Sequence, residues 1–179
     1  MSPVVTHIVL VGLPGAGKST VGREVAARLG RPFVDLDAEI ERREGRAVGE
    51  IFAERGEGYF RERERAVTEE LIGAMGEPVV LATGGGWVTN EGVVAHFRGR
   101  GRIMYLVVSP ERALARLGAD RGARPLLAGP DPLAALHRLL EAREALYTAA
   151  ADDVLPTDLL DLQQVADMVA ELASGFEGR

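Results

Sequence analysis

Hydrophobic positions along the chain form two patterns, short apolar runs and longer stretches with helical spacing. The runs of strand length are His7–Val11, Pro32–Leu36, Pro78–Ala82, Arg102–Val108 and a weaker one at Asp153–Leu155. The stretches with helical spacing are Lys18–Leu29, Ala38–Glu44, Val48–Glu54, Glu57–Ala74, Glu91–Phe97, Pro110–Leu117, Pro132–Ala150 and Leu160–Ala173. Strands that are apolar on both faces and alternate with helices predict an α/β fold, with a parallel sheet of about five strands between two layers of helices.

Composition narrows the class of protein. A chain of 179 residues with 46% hydrophobic and 27% charged residues is typical of one folded domain, here taken as residues 1–179. It has no apolar run of the roughly 18–20 residues that would span a bilayer, and its N-terminus does not resemble a signal peptide, so we expect a cytoplasmic protein. Its net charge of −6 argues against nucleic-acid binding. We expect a monomer whose partner is a small molecule.

The clearest motif follows the first apolar run and opens the first helix. Gly12–Thr20 reads G-L-P-G-A-G-K-S-T and fits the phosphate-binding loop G-x-x-x-x-G-K-[ST]. Its glycines let backbone N–H groups turn toward phosphate oxygens, Lys18 can reach the β- and γ-phosphates, and the Ser19 hydroxyl can bind Mg²⁺. The residues predicted to bind ATP in this loop are Pro14, Gly15, Ala16, Gly17, Lys18, Ser19 and Thr20.

Lys18 is the only lysine in a chain with twenty arginines. A planar guanidinium cannot replace a compact ammonium in a tight phosphate nest, so this exception supports the loop assignment. A GTPase would need a second lysine in an Asn-Lys-x-Asp motif, and there is none. The remaining readings are a small-molecule kinase, acting on gluconate, a nucleoside monophosphate or another acceptor, or a nucleotide-binding regulatory module without turnover.

Three further motifs follow apolar runs or lie on the next helix, where an acceptor could bind. Asp35 and Asp37 end the second run, and we expect one to serve Mg²⁺ and the other the acceptor hydroxyl. Arg61 and Glu64 are i, i+3 neighbours, so the glutamate can hold the guanidinium for a substrate carboxylate. The triple glycine, residues 84–86, indicates close backbone approach to a ligand. The alternatives are that the aspartates cap a helix, that Arg61 and Glu64 form an ordinary surface ion pair, and that the triple glycine is a flexible turn.

The stretch Gly118–Asp131 lacks helical or strand periodicity and contains glycine, proline and Arg124. Such a composition is typical of a mobile loop, and its arginine-rich surroundings favour closure over a nucleotide. We therefore predict a lid at about residues 116–131, with Arg124 reaching the transferred phosphoryl group.

Taken together, the motifs resemble the shikimate kinase family. In order they are G-L-P-G-A-G-K-S-T, F-V-D-L-D, I-F-A-E-R-G-E-G-Y-F-R-x-x-E, T-G-G-G, R-P-L-L and R-x-x-L-Y, and they cover about residues 5–160. The resemblance implies a P-loop NTPase-type core with a helical substrate-binding segment at about 37–62 and a lid. It also implies that ATP phosphorylates the 3-hydroxyl of shikimate, in the pathway to chorismate and the aromatic amino acids.

The resemblance assigns expected roles to individual residues. Asp37 would contact the ring hydroxyls as a catalytic residue beside Lys18 and Arg124, and Asp35 would support Mg²⁺ through water together with Ser19. The residues implied to bind the acceptor are Asp37, Arg61, Gly84, Gly85, Gly86 and Arg143, with Glu64 orienting Arg61 and with Phe52, Phe60, Pro125 and Leu126 lining the ring. Arg116 would stack on the adenine, and Arg124 would close on the phosphates.

Two positions depart from the family pattern. Trp87 stands where the family has a small aliphatic residue, so it could crowd or extend the acceptor pocket. The loop near Leu155–Leu162 keeps Thr157 but lacks the arginine that follows it in the family. We interpret Tyr147 as a packing residue near Arg143, and the three histidines (His7, His96 and His137) as neither metal ligands nor catalytic groups.

Overall fold

The protein folds as a five-stranded parallel sheet with flanking helices. The structure, a computed structural model, describes residues 7–74, 76–90, 92–119 and 124–175. The strands are β1 (His7–Val11), β2 (Phe33–Asp35), β3 (Val80–Ala82), β4 (Gly101–Val107) and β5 (Asp153–Pro156), and the sheet order is β2-β3-β1-β4-β5. All four strand pairings are parallel. The predicted α/β class and the count of five strands are confirmed.

The helices that connect these strands agree with the sequence pattern to within a few residues. They are α1 (Lys18–Leu29), α2 (Leu36–Glu44), α3 (Val48–Ala74), α4 (Val93–Phe97), α5 (Pro110–Leu117), α6 (Pro132–Ala150) and α7 (Leu162–Ser174). α2 begins two residues earlier than predicted, because the Asp35 side chain accepts the Ala38 N–H and caps the helix there. α3 joins the two helices predicted from the sequence, and Gly56 breaks the helical backbone between them with φ 81° and ψ 169°.

The core lies on both sides of the three central strands. β1 is buried along its whole length, as are the three residues of β3 and the middle of β4. α1 packs against α7, and α5 packs against α6. Burial on both faces explains why these strands read as continuous apolar runs rather than as an alternating pattern.

The sheet order brings three loops together. β3 lies between β1 and β2, so the phosphate loop after β1, the triple glycine after β3 and the aspartates after β2 leave the same edge of the sheet side by side. The carboxyl edge of a parallel sheet is where ligands bind in open α/β folds. The topology therefore assembles the candidate residues, which are far apart in the sequence.

Candidate active site

A cavity of about 530 Å³ opens at this edge of the sheet. It is lined by every residue predicted to bind nucleotide, metal or acceptor except Ala16, which is fully buried within the loop. The predicted residues on its wall are Pro14, Gly15, Gly17, Lys18, Ser19, Thr20, Asp35, Asp37, Arg61, Gly84, Gly85, Gly86, Arg116, Arg124 and Arg143. One cavity thus combines a phosphate loop with a set of acidic and basic side chains.

The phosphate loop has the backbone shape that its glycines predict. Gly15 and Gly17 have φ values of 83° and 92°, in the left-handed region that other residues rarely adopt. Gly17 is also the N-terminal cap of α1, so the first turn of that helix begins at Lys18 with unpaired N–H groups. These groups and the positive end of the helix dipole form an anion site.

Lys18 is buried and bonded within the loop. Its Nζ donates to the carbonyl oxygens of Gly12 and Leu13, at 2.8 Å each. Burial lowers the pKa of Lys18 to about 7, and the nearby charge of Arg124 acts in the same direction. A bound polyphosphate would supply the missing negative charge and would therefore favour the protonated ammonium.

The Ser19 hydroxyl and the Asp35 carboxylate lie together beside the loop. Ser19 Oγ donates a short hydrogen bond to Asp35 Oδ2, while the other oxygen of Asp35 caps α2. Hydroxyl and carboxylate oxygens are the ligands that Mg²⁺ prefers, and this ion usually takes one or two protein ligands together with water and phosphate oxygens. The residues present therefore fit a magnesium ion held between protein and nucleotide.

Asp37 lies deeper in the cavity, on the first turn of α2. Its Oδ1 is buried and has no hydrogen-bond partner among the described residues. Burial raises the pKa of Asp37, as does the neighbouring Asp35, whereas Arg124, Lys18 and Arg61 oppose that rise. A carboxylate near several cations, with one oxygen that lacks a hydrogen-bond partner, is suited to accept a hydrogen bond from a substrate hydroxyl.

Arg61 and Glu64 form the ion pair that the i, i+3 spacing predicted. Arg61 Nη1 donates to Glu64 Oε2 at 2.9 Å, and the Glu64 side chain is completely buried. Arg61 Nη2 also bonds Glu57 on the outer side, at 3.1 Å. Because Glu64 neutralises and orients the guanidinium from behind, Arg61 can present its remaining surface to an anionic group in the cavity.

The triple glycine allows these side chains to approach the backbone. A Cβ on Gly84 would lie 2.8 Å from Glu64 Oε1 and 2.9 Å from Asp37 Oδ1, and a Cβ on Gly86 would overlap the Arg61 guanidinium. Any side chain at either position would displace a predicted acceptor-binding group. Gly84 and Gly86 are therefore required for the close approach of these side chains, and the predicted approach of the triple glycine to a ligand stays a prediction.

Arg143 comes from the opposite side, on α6. It is buried, and Tyr147 lies one turn farther along the helix. The Tyr147 hydroxyl donates a short hydrogen bond to the Gly85 carbonyl, and its ring stacks on Tyr105 with centroids 5.0 Å apart. Burial raises the pKa of Tyr147 to about 12, although the charge of Arg143 and a hydrogen bond with its side chain act the other way. The packing interpretation of Tyr147 is confirmed, and the structure adds a bond to Gly85.

Arg116 and Arg124 also line the cavity, and Arg116 lies against the phosphate loop, where its Nη1 donates to the Ala16 carbonyl at 3.3 Å. The Arg116 guanidinium donates to the Thr157 hydroxyl and carbonyl at 3.0 and 2.9 Å and to the Leu160 carbonyl at 3.4 Å, so it joins α5 to the loop before α7. Arg124 precedes a short 3₁₀ helix, Pro125–Leu127, within the stretch predicted to lack helical structure. Residues 120–123 of the predicted lid lie outside the described residues, and its closure stays a prediction.

Comparisons with known proteins agree with this geometry. The family model described as shikimate kinase matches residues 14–173. A shikimate kinase of Symbiobacterium thermophilum is 44% identical over 174 residues, covering 97% of each chain. The chain belongs to the shikimate kinase family. The family resemblance inferred from the motifs is confirmed.

Solved structures of the family have the same fold. A shikimate kinase from Acinetobacter baumannii, solved in complex with shikimate, matches with a TM-score of 0.90 and 37% identity over 99% of this chain and 97% of that one. A gluconokinase from Sinorhizobium meliloti matches with a TM-score of 0.57 and 21% identity, a likeness that shows the fold alone. The P-loop NTPase-type architecture predicted from the resemblance is therefore confirmed.

Part of the cavity wall is apolar. Phe52, Phe60, Pro125 and Leu126 line the cavity, and Phe52 and Phe60 pack with ring centroids 4.9 Å apart. That these four residues line the ring of an acceptor stays a prediction. Trp87 does not line the cavity, so it neither crowds nor extends the pocket. It is completely buried against Phe97, and its Nε1 donates to Thr68 Oγ1 at 3.3 Å.

Sequence reasoning missed several residues of this site. Glu41, Val48 and Leu162 line the cavity without belonging to a motif that we used, and Thr83 lines it although its motif gave it no role. Asn90 bonds the buried Glu64, and the only signal for it in the sequence is that it is the chain's single asparagine, close behind the triple glycine.

Proposed function

We propose that this protein catalyses the ATP-dependent phosphorylation of the 3-hydroxyl of shikimate, forming shikimate 3-phosphate for aromatic amino acid biosynthesis. The observation that carries the proposal is the position of Asp37. Asp37, whose buried Oδ1 has no hydrogen-bond partner among the described residues, shares one cavity with the phosphate-loop lysine and with two arginines suited to a carboxylate. Family membership supports the same acceptor.

The nucleotide end of the cavity would bind the phosphates of ATP. The loop N–H groups and Lys18 neutralise the β- and γ-phosphates, and Arg124 adds positive charge near the transferred group. Arg116, held by Thr157 and Leu160, would border the adenine. Ser19 and Asp35 would hold Mg²⁺, which neutralises phosphate charge when bound. Phosphoryl transfer depends mainly on positioning and charge, and these residues supply both.

The acceptor end would orient shikimate, a cyclic carboxylic acid with three hydroxyl groups. Arg61 and Arg143 would grip the carboxylate from opposite sides, and Gly85 would approach the ring through its backbone. Asp37 would accept the hydrogen bond of the attacking hydroxyl and hold it toward the phosphates. The raised pKa of Asp37 also makes this carboxylate a stronger acceptor for the hydroxyl proton.

We further propose that the chain acts as a monomeric single domain in the cytoplasm. Few large apolar side chains are exposed in the part of the chain that the structure describes; they are Leu126, Leu146, Val154 and Leu159, and the first of these lines the cavity. Across the described helices, none is both long and apolar enough to cross a membrane. Light scattering coupled to size-exclusion chromatography tests the monomer.

The experiment that tests the function is an ATP-consumption assay with shikimate, gluconate and AMP as alternative acceptors, with and without Mg²⁺. We expect turnover with shikimate that requires Mg²⁺, and little with the other two. Background turnover with shikimate beside robust activity on another acceptor would refute the assignment. Arg61→Ala and Arg143→Ala should each weaken shikimate binding by about 10–100-fold while leaving ADP binding largely intact.

A further inference from the structure

Asn90 follows the short helix after the triple glycine, and its side chain bonds the Arg61–Glu64 ion pair. A 3₁₀ helix, Trp87–Thr89, ends at Asn90. Asn90 Nδ2 donates to Glu64 Oε2 at 2.8 Å, and the same oxygen accepts from Arg61 Nη1 at 2.9 Å. Asn90 does not line the cavity, so any effect that it has on the acceptor must pass through Glu64 and Arg61.

We propose that Asn90 is a positioning residue for the acceptor: it keeps the buried Glu64 ionised and fixed, so that Arg61 stays turned toward the substrate carboxylate. This inference rests on the proposed function, since it assigns to Arg61 the carboxylate of shikimate. It adds a residue whose contribution depends on the charge of Glu64 rather than on contact with the ligand.

Arg61 has two acidic partners that compete for it. Glu64 is completely buried and lies on the inner side, whereas Glu57 is half exposed and bonds Nη2 at 3.1 Å from the outer side. If Glu64 loses its charge, the inner contact weakens and the ion pair with Glu57 remains. The guanidinium then turns outward, away from the position in which it can meet a carboxylate.

The charge of Glu64 depends on few groups. The pKa of Glu64 is raised to about 7, mainly by burial and also by the negative charge of Asp37 on α2. Arg61 on the same helix and the amide of Asn90 oppose that rise. Removing the Asn90 donor therefore raises the pKa of Glu64, and a larger fraction of the side chain is protonated near neutral pH.

A second contact fixes the same segment against α3. Trp87 Nε1 donates to Thr68 Oγ1, and that hydroxyl donates to the backbone carbonyl of Glu64 at 2.7 Å. The 3₁₀ helix therefore reaches Glu64 by two routes, one through its side chain and one through its backbone. Because Trp87 holds the backbone of the segment, replacing the Asn90 side chain should change the first route and leave the second.

The test is a titration of Asn90→Ala with shikimate at pH 7 and at pH 9, without nucleotide. At pH 7 we expect the dissociation constant to rise about tenfold over the wild type, because Glu64 is then mostly protonated. At pH 9 Glu64 ionises again, so the ratio of the dissociation constant of Asn90→Ala to that of the wild type should fall to about twofold or less. The KM for ATP should not change. A purely structural role for Asn90 would give the same ratio at both pH values.

Two further variants sharpen the test. Asn90→Asp keeps the shape but replaces the donor by a second carboxylate, which raises the pKa of Glu64 further. Its loss of shikimate affinity relative to the wild type should therefore also be larger at pH 7 than at pH 9. Glu64→Gln removes the titrating group. The ratio of the shikimate dissociation constants of the double variant Glu64→Gln/Asn90→Ala and of Glu64→Gln should therefore not change with pH. Gln163→Ala is the matched control, since it removes an exposed amide bonded to Glu24 at 3.2 Å, and it should bind as the wild type does.

Wild-type phosphorylation of shikimate is measured first, so failure of the proposed function is recognised separately. With that activity present, an unchanged affinity in Asn90→Ala would overturn the proposal, and so would a loss of affinity that is equal at pH 7 and pH 9. Should Asn90→Ala not fold, Asn90→Asp decides: a loss of affinity relative to the wild type that shrinks from pH 7 to pH 9 supports the role, and a loss that is equal at both pH values contradicts it.

Discussion

Gly86 offers a way to move Arg61 without replacing it. The backbone of Gly86 has φ −99° and ψ 2°, which alanine adopts without strain. A Cβ built there would overlap the Arg61 guanidinium, and even its more distant Nη1 would be only 2.6 Å away. Ordinary van der Waals contact begins at 3.4 Å, so Nη1 must retreat by about 0.8 Å, the difference between these distances, and the closer Nη2 must retreat by more.

We expect Gly86→Ala to weaken shikimate binding by about 10–100-fold, because a displacement near 1 Å removes most of a bidentate contact. ADP binding should stay within about twofold of the wild type, since the atoms nearest to a Cβ on Gly86 belong to Arg61 and not to the phosphate loop. Isothermal titration with shikimate and with ADP measures both.

A double variant tests more directly whether Gly86→Ala acts through Arg61. If the methyl group acts only through Arg61, Gly86→Ala combined with Arg61→Ala should bind shikimate no more weakly than Arg61→Ala alone. Additive losses would contradict this route, and a normal affinity in Gly86→Ala would show that Arg61 does not hold the acceptor. Gly73→Ala on α3 is the control, because nothing lies within 4 Å of the position of its Cβ.

Three further predictions concern the nucleotide end and stability. Lys18→Arg should lower kcat by about 10²-fold or more although it keeps the charge, since a planar fork does not fit where Nζ now bonds Gly12 and Leu13; a kcat near the wild type in a coupled assay would contradict it. Arg124→Ala should lower kcat by about 10²-fold while ADP affinity changes little, and equal losses in both would indicate ground-state binding instead. The buried His7 accepts the Val79 N–H at 3.2 Å, and burial together with the charges of Arg31 and Arg100 lowers its pKa below 6.5. The contribution of neutral His7 to stability is complete above pH 6.5 and is lost as the pH falls toward the lowered pKa. His7→Asn keeps a hydrogen-bond acceptor that does not titrate, so its free energy of unfolding in urea should fall less over this pH range than that of the wild type. An equal fall in both proteins would refute the assignment.

Local signals in the sequence were sufficient for much of the fold and part of the site. Strands buried on both faces must be apolar throughout, so β1, β3 and β4 were recognisable from composition alone. The phosphate loop was recognisable because its glycines and Lys18 are required within one short segment. The Arg61–Glu64 pair was predictable because three residues along a helix bring two side chains to one face.

The tertiary structure decided the contacts between distant segments. The Tyr147 bond to Gly85 joins residues 62 positions apart, and the Asn90 bond to Glu64 joins residues 26 positions apart. No periodicity encodes such pairs, because they depend on how strands and helices pack. Trp87 shows the same limit: beside a ligand loop it looked like part of the pocket, but the 3₁₀ turn directs its indole into the core, where burying a large apolar ring stabilises the fold most.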